Sequence, residues 1–218
     1  MSWPQACTAT LVSSWNFKDG LAQLVFSDSR FGFMDTTGRV VIGPLPGKAD
    51  GYSEGLAAFK QDDRWGYLDR TGKVVVPPQF LGADEFHGGR ALVAVDTGVQ
   101  ACINRRGEVV FRSDFDLILP FSEGRAGVMY EEEWGYVDTA GRLVIPLQFD
   151  DVEPFSEGLA AVEIDGEYGY IDLNGKMVIE PEYDGAGDFQ DGLAAVRTSL
   201  SSLYIDRQNR VVWQCRRE

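Results

Sequence analysis

Short apolar runs alternate with clusters of Gly, Asp and Asn along the whole chain. Between Phe155 and Pro181, apolar runs at 159–164, 168–171 and 177–179 are separated by Asp165-Gly166-Glu167 and Leu173-Asn174-Gly175. Runs of about four to eight residues bounded by such turn residues predict β-strands joined by hairpins. This stretch is therefore predicted to form a three-stranded antiparallel meander, after which residues 182–192 cross to the next meander.

The meander pattern recurs six times, at steps of 34 or 35 residues. Three kinds of marker keep the step: glycines at Gly20, Gly55, Gly89, Gly124, Gly158 and Gly192, aromatic residues at Phe17, Tyr52, Phe86, Phe121, Phe155 and Phe189, and Asp or Asn at Asp35, Asp69, Asn104, Asp138, Asp172 and Asp206. A repeat of this length cannot bury its hydrophobic face alone and stacks on its neighbours. The predicted fold class is all-β, as one domain over 1–218 with repeats at about 17–51, 52–85, 86–120, 121–154, 155–188 and 189–218.

The ends of the chain decide between a ring and an open stack. The sixth repeat stops soon after Trp213, and residues 5–16, which precede the first marker, have a strand-like composition. They are predicted to complete the last repeat, which favours a six-bladed propeller-like ring over an open solenoid of β-hairpins. Closure would protect edge strands, although three strands are one fewer than a propeller blade usually has.

Several marked positions are predicted to serve the fold. Asp-x-x-Gly elements such as Asp138 to Gly141 predict turns, because Asp accepts a backbone hydrogen bond two residues on and Gly tolerates positive φ. Glycines that follow an aromatic residue predict close backbone approach: these are Gly66, Gly135 and Gly169. The runs Val74–Val76 and Leu143–Ile145 predict strands buried on both faces. The alanine pairs predict close sheet packing: Ala57 with Ala58, Ala160 with Ala161, and Ala194 with Ala195.

Charge and composition limit the classes of molecule that the chain is predicted to bind. The formal net charge is -14, with a pI near 4.5. Such a surface repels nucleic acid and anionic membranes, and speeds encounter with a basic partner. Cys7, Cys102 and Cys215 lack metal-ligand spacing, so no cofactor or metal is predicted. No basic segment followed by an apolar one marks the N-terminus, which predicts a cytoplasmic protein with reduced thiols, expected to be a monomer.

The acidic residues gather at the turn of the first hairpin in each repeat. The predicted partner-binding residues are Asp28, Asp62, Asp63, Glu131, Glu132, Glu133, Asp165 and Glu167. Equivalent turns of a repeat project to the same side, so their carboxylates are predicted to form one acidic rim. Solvated turns without a partner would give the same pattern.

The segments at 65–76 and 134–146, beginning Trp65-Gly66-Tyr67 and Trp134-Gly135-Tyr136, resemble the bacterial WG-repeat family. The resemblance extends over nearly the whole chain. It implies an interaction surface and not an enzyme, and some members of the family look like immunity factors of secreted toxins. The predicted function is therefore a non-enzymatic protein-binding module that neutralises a basic toxin or effector; the alternative is a carbohydrate or cell-wall binding module, which needs exposed rings.

Two repeats depart from the family pattern. Gln100-Ala101-Cys102 replaces the aromatic-Gly-aromatic triplet in the third repeat, and Ser202-Leu203-Tyr204 replaces it in the sixth. Degenerate end repeats are typical caps. The departure inside the chain leaves a binding position and neutral drift both open.

Overall fold

A computed structural model describes residues 9–10, 17–26 and 30–216. These residues form β-strands and turns, and no helix that could span a membrane occurs among them. The chain divides into two compact units, a first half, 1–113, and a second half, 114–218. Each half contains three antiparallel sheets of four strands, in which neighbours in sequence are neighbours in space.

The first half contains sheets 1 to 3. Sheet 1 consists of β1 (Ala9–Thr10), β2 (Leu21–Phe26), β3 (Phe31–Asp35) and β4 (Val40–Leu45). Sheet 2 consists of β5 (Lys48–Ser53), β6 (Leu56–Gln61), β7 (Arg64–Asp69) and β8 (Val74–Phe80). Sheet 3 consists of β9 (Gly82–Ala83), β10 (Arg90–Asp96), β11 (Val99–Asn104) and β12 (Val109–Arg112).

The second half contains sheets 4 to 6. Sheet 4 consists of β13 (Leu117–Ile118), β14 (Arg125–Tyr130), β15 (Glu133–Asp138) and β16 (Leu143–Phe149). Sheet 5 consists of β17 (Asp151–Val152), β18 (Leu159–Ile164), β19 (Glu167–Asp172) and β20 (Met177–Tyr183). Sheet 6 consists of β21 (Gly185–Ala186), β22 (Leu193–Arg197), β23 (Ser201–Asp206) and β24 (Val211–Arg216).

Each predicted meander is confirmed, but its sheet has a fourth strand, which lies in the segment predicted to be the crossing in sheets 2 to 6 and has two residues in sheets 3 to 6. In sheet 5 the added strand is β17, in which Asp151 pairs with Glu163 and Val152 with Val162. A two-residue strand is too short to produce the alternation or apolar run by which strands are recognised. Four strands per sheet is the usual number in a propeller blade, so the strand count no longer argues against blades.

The two described residues of the N-terminal segment pair with sheet 1, just as the end of a predicted repeat pairs with the sheet that follows it, for example β17 with β18. Ala9 pairs with Phe26 and Thr10 with Val25, both in sheet 1. Sheet 6 draws its four strands from residues 185–216. Residues 5–8 and 11–16 lie outside the described residues, and closure into a six-bladed ring stays a prediction.

Buried aromatic pairs join successive sheets within each half. Tyr170 and Phe189 are fully buried, and their ring centroids lie 4.9 Å apart. The Tyr170 hydroxyl donates a hydrogen bond to the carbonyl oxygen of Gly187, 2.8 Å away, so the phenol is satisfied inside the core. The same arrangement recurs at Tyr67 with Phe86 and at Tyr136 with Phe155. These rings therefore serve the core.

The prediction that the last long strand of each sheet is buried on both faces is wrong. Val74 is 46% exposed and Val75 37%, while Val76 is buried. The run from Leu143 to Ile145 shows the same two exposed residues followed by one buried residue. This strand is the outer edge of its sheet, so its first residues have one neighbouring strand and no covering layer among the described residues.

The predicted close approach at the glycines is confirmed, and a bulge explains it. Tyr136 pairs with Ile145 and Trp134 pairs with Phe149. The paired residues are two positions apart on β15 but four positions apart on β16, so β16 has two extra residues here. The extra backbone passes over Gly135, where a Cβ would lie 2.7 Å from the carbonyl oxygen of Pro146. A side chain is excluded there because the contact is with backbone.

The two departing repeats lack this bulge. Ala101 pairs with Arg112 and Cys102 with Phe111, with no extra residue on either strand between these pairs. In sheet 6, Ser202 and Leu203 likewise pair in step with β24. Because no extra backbone lies opposite Ala101 or Leu203, neither position requires glycine. The absence of the motif glycine from the third repeat is thereby explained without a binding role.

Candidate protein interface

Three of the predicted acidic turns are two-residue hairpin loops. Asp62 and Asp63, with φ of 48° and 62°, are enclosed by the pair Gln61 and Arg64. Glu131 and Glu132 have φ of 51° and 70°. Their loop is closed by Tyr130 and Glu133. Two consecutive positive φ values define the type I′ turn, which matches the twist of the flanking strands and favours Asn-Gly or Asp-Gly.

The third loop has the preferred composition. Asp165 and Gly166 have φ of 53° and 84°, and the pair Ile164 and Glu167 closes the loop. Glu133 and Glu167 begin the strands that come after the loops. The seven predicted acidic residues that the structure describes are all exposed, whereas Asp28 lies outside the described residues. Among them, Asp63 forms an ion pair with Lys60 at 2.9 Å, which lowers the pKa of its carboxyl.

Two further carboxylates brace these turns and were missed from sequence. Asp116 Oδ2 accepts a hydrogen bond from the backbone N–H of Glu131 at 2.9 Å. Asp150 Oδ2 accepts one from the backbone N–H of Asp165 at 2.7 Å. Each bracing Asp lies 15 residues before the residue it holds. That shared spacing was the available signal, but it links a residue just before the short first strand of a sheet to a residue in the following hairpin loop.

The Glu of the Ser-Glu-Gly element, for example Glu157 in Ser156-Glu157-Gly158, bonds to the next repeat and does not face a partner. Glu157 Oε2 accepts a hydrogen bond from the backbone N–H of Gly192 at 3.0 Å, and Ser156 Oγ donates to the carbonyl oxygen of Phe189 at 2.7 Å. Glu54 and Glu123 repeat the contact with the next glycine marker, at Gly89 and Gly158. The element is recognisable in the sequence, but the role of these side chains was missed.

The Asp-x-x-Gly elements are turns, as predicted. Asp138 Oδ1 accepts hydrogen bonds from the backbone N–H groups of Ala140 and Arg142, and Arg142 Nε donates to Oδ2 at 2.8 Å. These bonds hold the pKa of the Asp138 carboxyl below its usual range, against a raising effect of burial. Their oxygens are therefore engaged, and the described residues contain no cluster of three or more His, Cys, Asp or Glu suited to a metal ion.

The side chains of His87, Cys102 and Cys215 belong to no potential metal-binding cluster among the residues that the structure describes. His87 is exposed. Cys102 is buried, which raises the pKa of its thiol to about 11, and Cys215 is an exposed free thiol. Cys7 lies outside the described residues.

A cavity of about 580 Å³ opens in the second half, beside the last sheet. Its wall includes Glu153, Tyr168, Asp184, Arg197, Tyr204 and Trp213. The Tyr204 and Trp213 rings are 6.0 Å apart and edge-on to each other, and both are about half exposed. This site was missed from sequence, because Tyr204 belongs to a repeat that had been interpreted only as a degenerate cap.

The comparisons with known proteins agree on the fold. A search of curated protein sequences finds no match. The structure resembles BamB from Moraxella catarrhalis, with a TM-score of 0.51 and 14% identity over 92% of this chain and 72% of that one. It also resembles Hsv2p from Kluyveromyces lactis, with a TM-score of 0.50 and 10% identity over 78% of this chain and 63% of that one. These likenesses identify a propeller-like all-β fold.

The sequence profile of the WG containing repeat matches five consecutive segments: 31–65, 65–96, 102–133, 134–168 and 168–199. The matched segments account for most of the chain. They include Trp65-Gly66 and Trp134-Gly135, the residues on which the resemblance rested. The chain belongs to the family of proteins with the WG containing repeat.

Proposed function

We propose that this chain is a non-enzymatic protein-binding module that holds a basic partner through its acidic hairpin turns. The repeat family and the propeller-like fold support an interaction module in general terms. The acidic turns support the finer proposal of a basic partner. The observation that carries it is the presence of Glu131 and Glu132 at two consecutive positions with positive φ.

Acidic residues at these positions are costly for the fold. Positive φ favours Gly and Asn, and other residues there cost on the order of 1 kcal/mol or more each. The Glu131 and Glu132 side chains are exposed, and within the described part of the chain their carboxylates form no hydrogen bond or ion pair. A contribution to binding accounts for residues that the turn itself does not favour.

Long-range electrostatics add to this local argument. The net charge of -14 gives a field that attracts a basic protein and increases its association rate. Most of the turn carboxylates are exposed, so added salt screens them over about 10 Å at 0.1 M. Binding through them is therefore salt-sensitive.

The class of partner is suggested by the resemblance to WG-repeat proteins that look like immunity factors. We propose a basic toxin or effector, neutralised in the cytoplasm by the monomeric chain. A carbohydrate-binding module is the second candidate, favoured by the half-exposed rings of Tyr204 and Trp213. The aromatic residues that precede the motif glycines fit that role poorly, because Trp134 is 8% exposed and Trp65 and Tyr168 are partly buried against the core.

Affinity capture from the native host tests the basic-partner proposal. The immobilised chain is expected to retain a basic protein at low salt and to release it as salt rises. Retention that ignores salt, or retention of acidic proteins alone, contradicts the proposal. A glycan array run in parallel addresses the second candidate, which predicts binding that Trp213→Ala abolishes without loss of thermal stability.

A further inference from the structure

The cavity beside sheet 6 combines aromatic rings with an excess of carboxylates. Glu153 and Asp184 are in its wall together with the rings of Tyr168, Tyr204 and Trp213. We infer that this cavity binds a lysine or arginine side chain of the basic partner. The inference rests on the proposed protein-binding function and assigns a specific contact to it.

The rings are open for contact because, within the described residues, sheet 6 lacks the covering that sheet 5 has. In sheet 5, Ala161, Tyr170 and Ile179 are buried against sheet 6. Their counterparts in sheet 6 are Ala195, Tyr204 and Trp213, one row across β22, β23 and β24. Tyr204 is 45% exposed and Trp213 52%, and Ala195 is exposed as well. The predicted burial of Ala195 is therefore wrong, whereas Ala194 is buried as predicted.

The carboxylates make the cavity electronegative. Burial raises the pKa of the Glu153 carboxyl, and Asp188 and Asp151 add to the effect by repulsion. Asp151 also approaches the Tyr168 hydroxyl, 3.5 Å from Oδ2. Within the described residues, no salt bridge pairs Glu153, Asp151 or Asp188 with a basic side chain. A cation from outside would relieve this repulsion.

Arg197 is the basic side chain in the wall, and it packs against the short strand β21. Its guanidinium atoms lie 2.7–3.2 Å from the position that a Cβ on Gly185 would occupy. It offsets one of the two wall carboxylates, and Asp151 and Asp188 remain nearby. The balance of charge around the rings is therefore negative.

Rings next to carboxylates favour a cation over a neutral ligand. An ammonium or guanidinium group is attracted to the face of Trp or Tyr, and a nearby carboxylate adds a charge-assisted hydrogen bond. The turn at Asp165 and Glu167 belongs to the same hairpin as Tyr168. A basic segment that contacts this turn can therefore place one side chain in the cavity.

Isothermal titration of the whole chain with an acetylated hexalysine amide at low salt tests the inference. Trp213→Ala and Glu153→Gln are each expected to weaken binding about three- to fivefold. Phe17→Ala is the matched control, because Phe17 is 45% exposed and lies outside the cavity wall and away from the acidic turns that the structure describes. It is expected to leave the affinity unchanged. The same peptide with acetylated side chains is expected not to bind, whereas trimethylated lysines, which keep the charge, are expected to bind.

Unchanged affinity in both Trp213→Ala and Glu153→Gln overturns the inference, and so does equal binding of the acetylated peptide or of neutral oligosaccharides. Shielding of Trp213 from acrylamide quenching in the free chain also overturns it, since the chain itself then covers the rings. If Trp213→Ala fails to fold, Glu153→Gln decides alone. Loss of partner retention in turn variants together with unchanged hexalysine binding in cavity variants rejects the cavity and leaves the proposed function standing.

Discussion

A Cβ added at Gly135 would lie 2.6 Å from the carbonyl oxygen of Ile145. The contact arises because β16 bulges over the glycine, and the backbone cannot rotate away as a side chain can. The recurrence of the aromatic-Gly motif within this chain thus reflects the path of the neighbouring strand. The glycine and a bulge occur together in sheets 1, 2, 4 and 5.

Gly135→Val and Gly169→Val are each expected to lower the free energy of unfolding by about 1–3 kcal/mol through overpacking. Ala101→Val is expected to cost less, because β12 pairs in step with β11 and leaves no bulge over Ala101. Urea denaturation of the three variants measures the difference. Equal losses at all three positions would contradict the bulge argument.

Glu157→Ala is expected to cost about 1.5–3 kcal/mol, the range for a hydrogen bond to a charged group, because the Gly192 N–H loses its carboxylate acceptor. Asp191→Ala is the matched control. Asp191 is the equivalent residue of the last repeat and has a similar φ, 52° against 53°. Its carboxylate accepts no hydrogen bond from any residue that the structure describes. Thermal or urea unfolding compares the two variants. Equal losses of stability would show that the loss comes from the left-handed backbone position and not from the hydrogen bond to Gly192.

Local chemistry was predictable from sequence, and contacts between repeats were not. Turn residues such as Asp138 act within four positions, so their role is evident from the motif. The partner of Glu157 lies 35 positions away, and nothing local indicates it. The exposure of Val74 depends on which strand forms the sheet edge, and that of Tyr204 depends on whether another sheet packs against sheet 6. The acidic turns were found because both the turn and the charge are local.

Stability is expected to depend on pH in two opposite ways. The folded-state pKa values of Asp35, Asp69, Asp138, Asp172 and Asp206 are lowered by hydrogen bonds that favour the charged form. Their contribution is present above the unfolded value and is lost as the pH falls through the folded pKa. The folded-state pKa values of Asp50, Asp84, Glu153 and Asp188 are raised, mainly by burial. These groups bind protons more tightly when folded, so stability rises as the pH falls through the raised values.

Glu153→Gln separates the two effects. It removes one raised group, so the gain in unfolding free energy between pH 7 and the ordinary glutamate pKa is expected to become smaller than in the unaltered chain. Urea denaturation at several pH values measures the gain. Glu132→Gln, on an exposed turn, is the control. An undiminished gain in Glu153→Gln would contradict the assignment of the raised pKa to this carboxyl.

The acidic turns allow binding and folding to be changed in opposite directions. Replacing Glu131-Glu132 by Asn-Gly removes two charges and supplies the residues that a type I′ turn favours. The bond from the residue 131 N–H to Asp116 is retained, since it uses backbone. Asp62-Asp63 is less suitable, because its replacement also breaks the ion pair with Lys60. The Glu131-Glu132 variant is expected to be more stable by about 1 kcal/mol.

Retention of the basic partner by this Asn-Gly variant, measured at low salt beside its unfolding temperature, tests the account most directly. We expect a higher unfolding temperature together with weaker retention, because the charges serve binding at the expense of the turn. Loss of retention then cannot be attributed to unfolding. Retention equal to that of the unaltered chain, in a variant that is more stable, would contradict a binding role for Glu131 and Glu132.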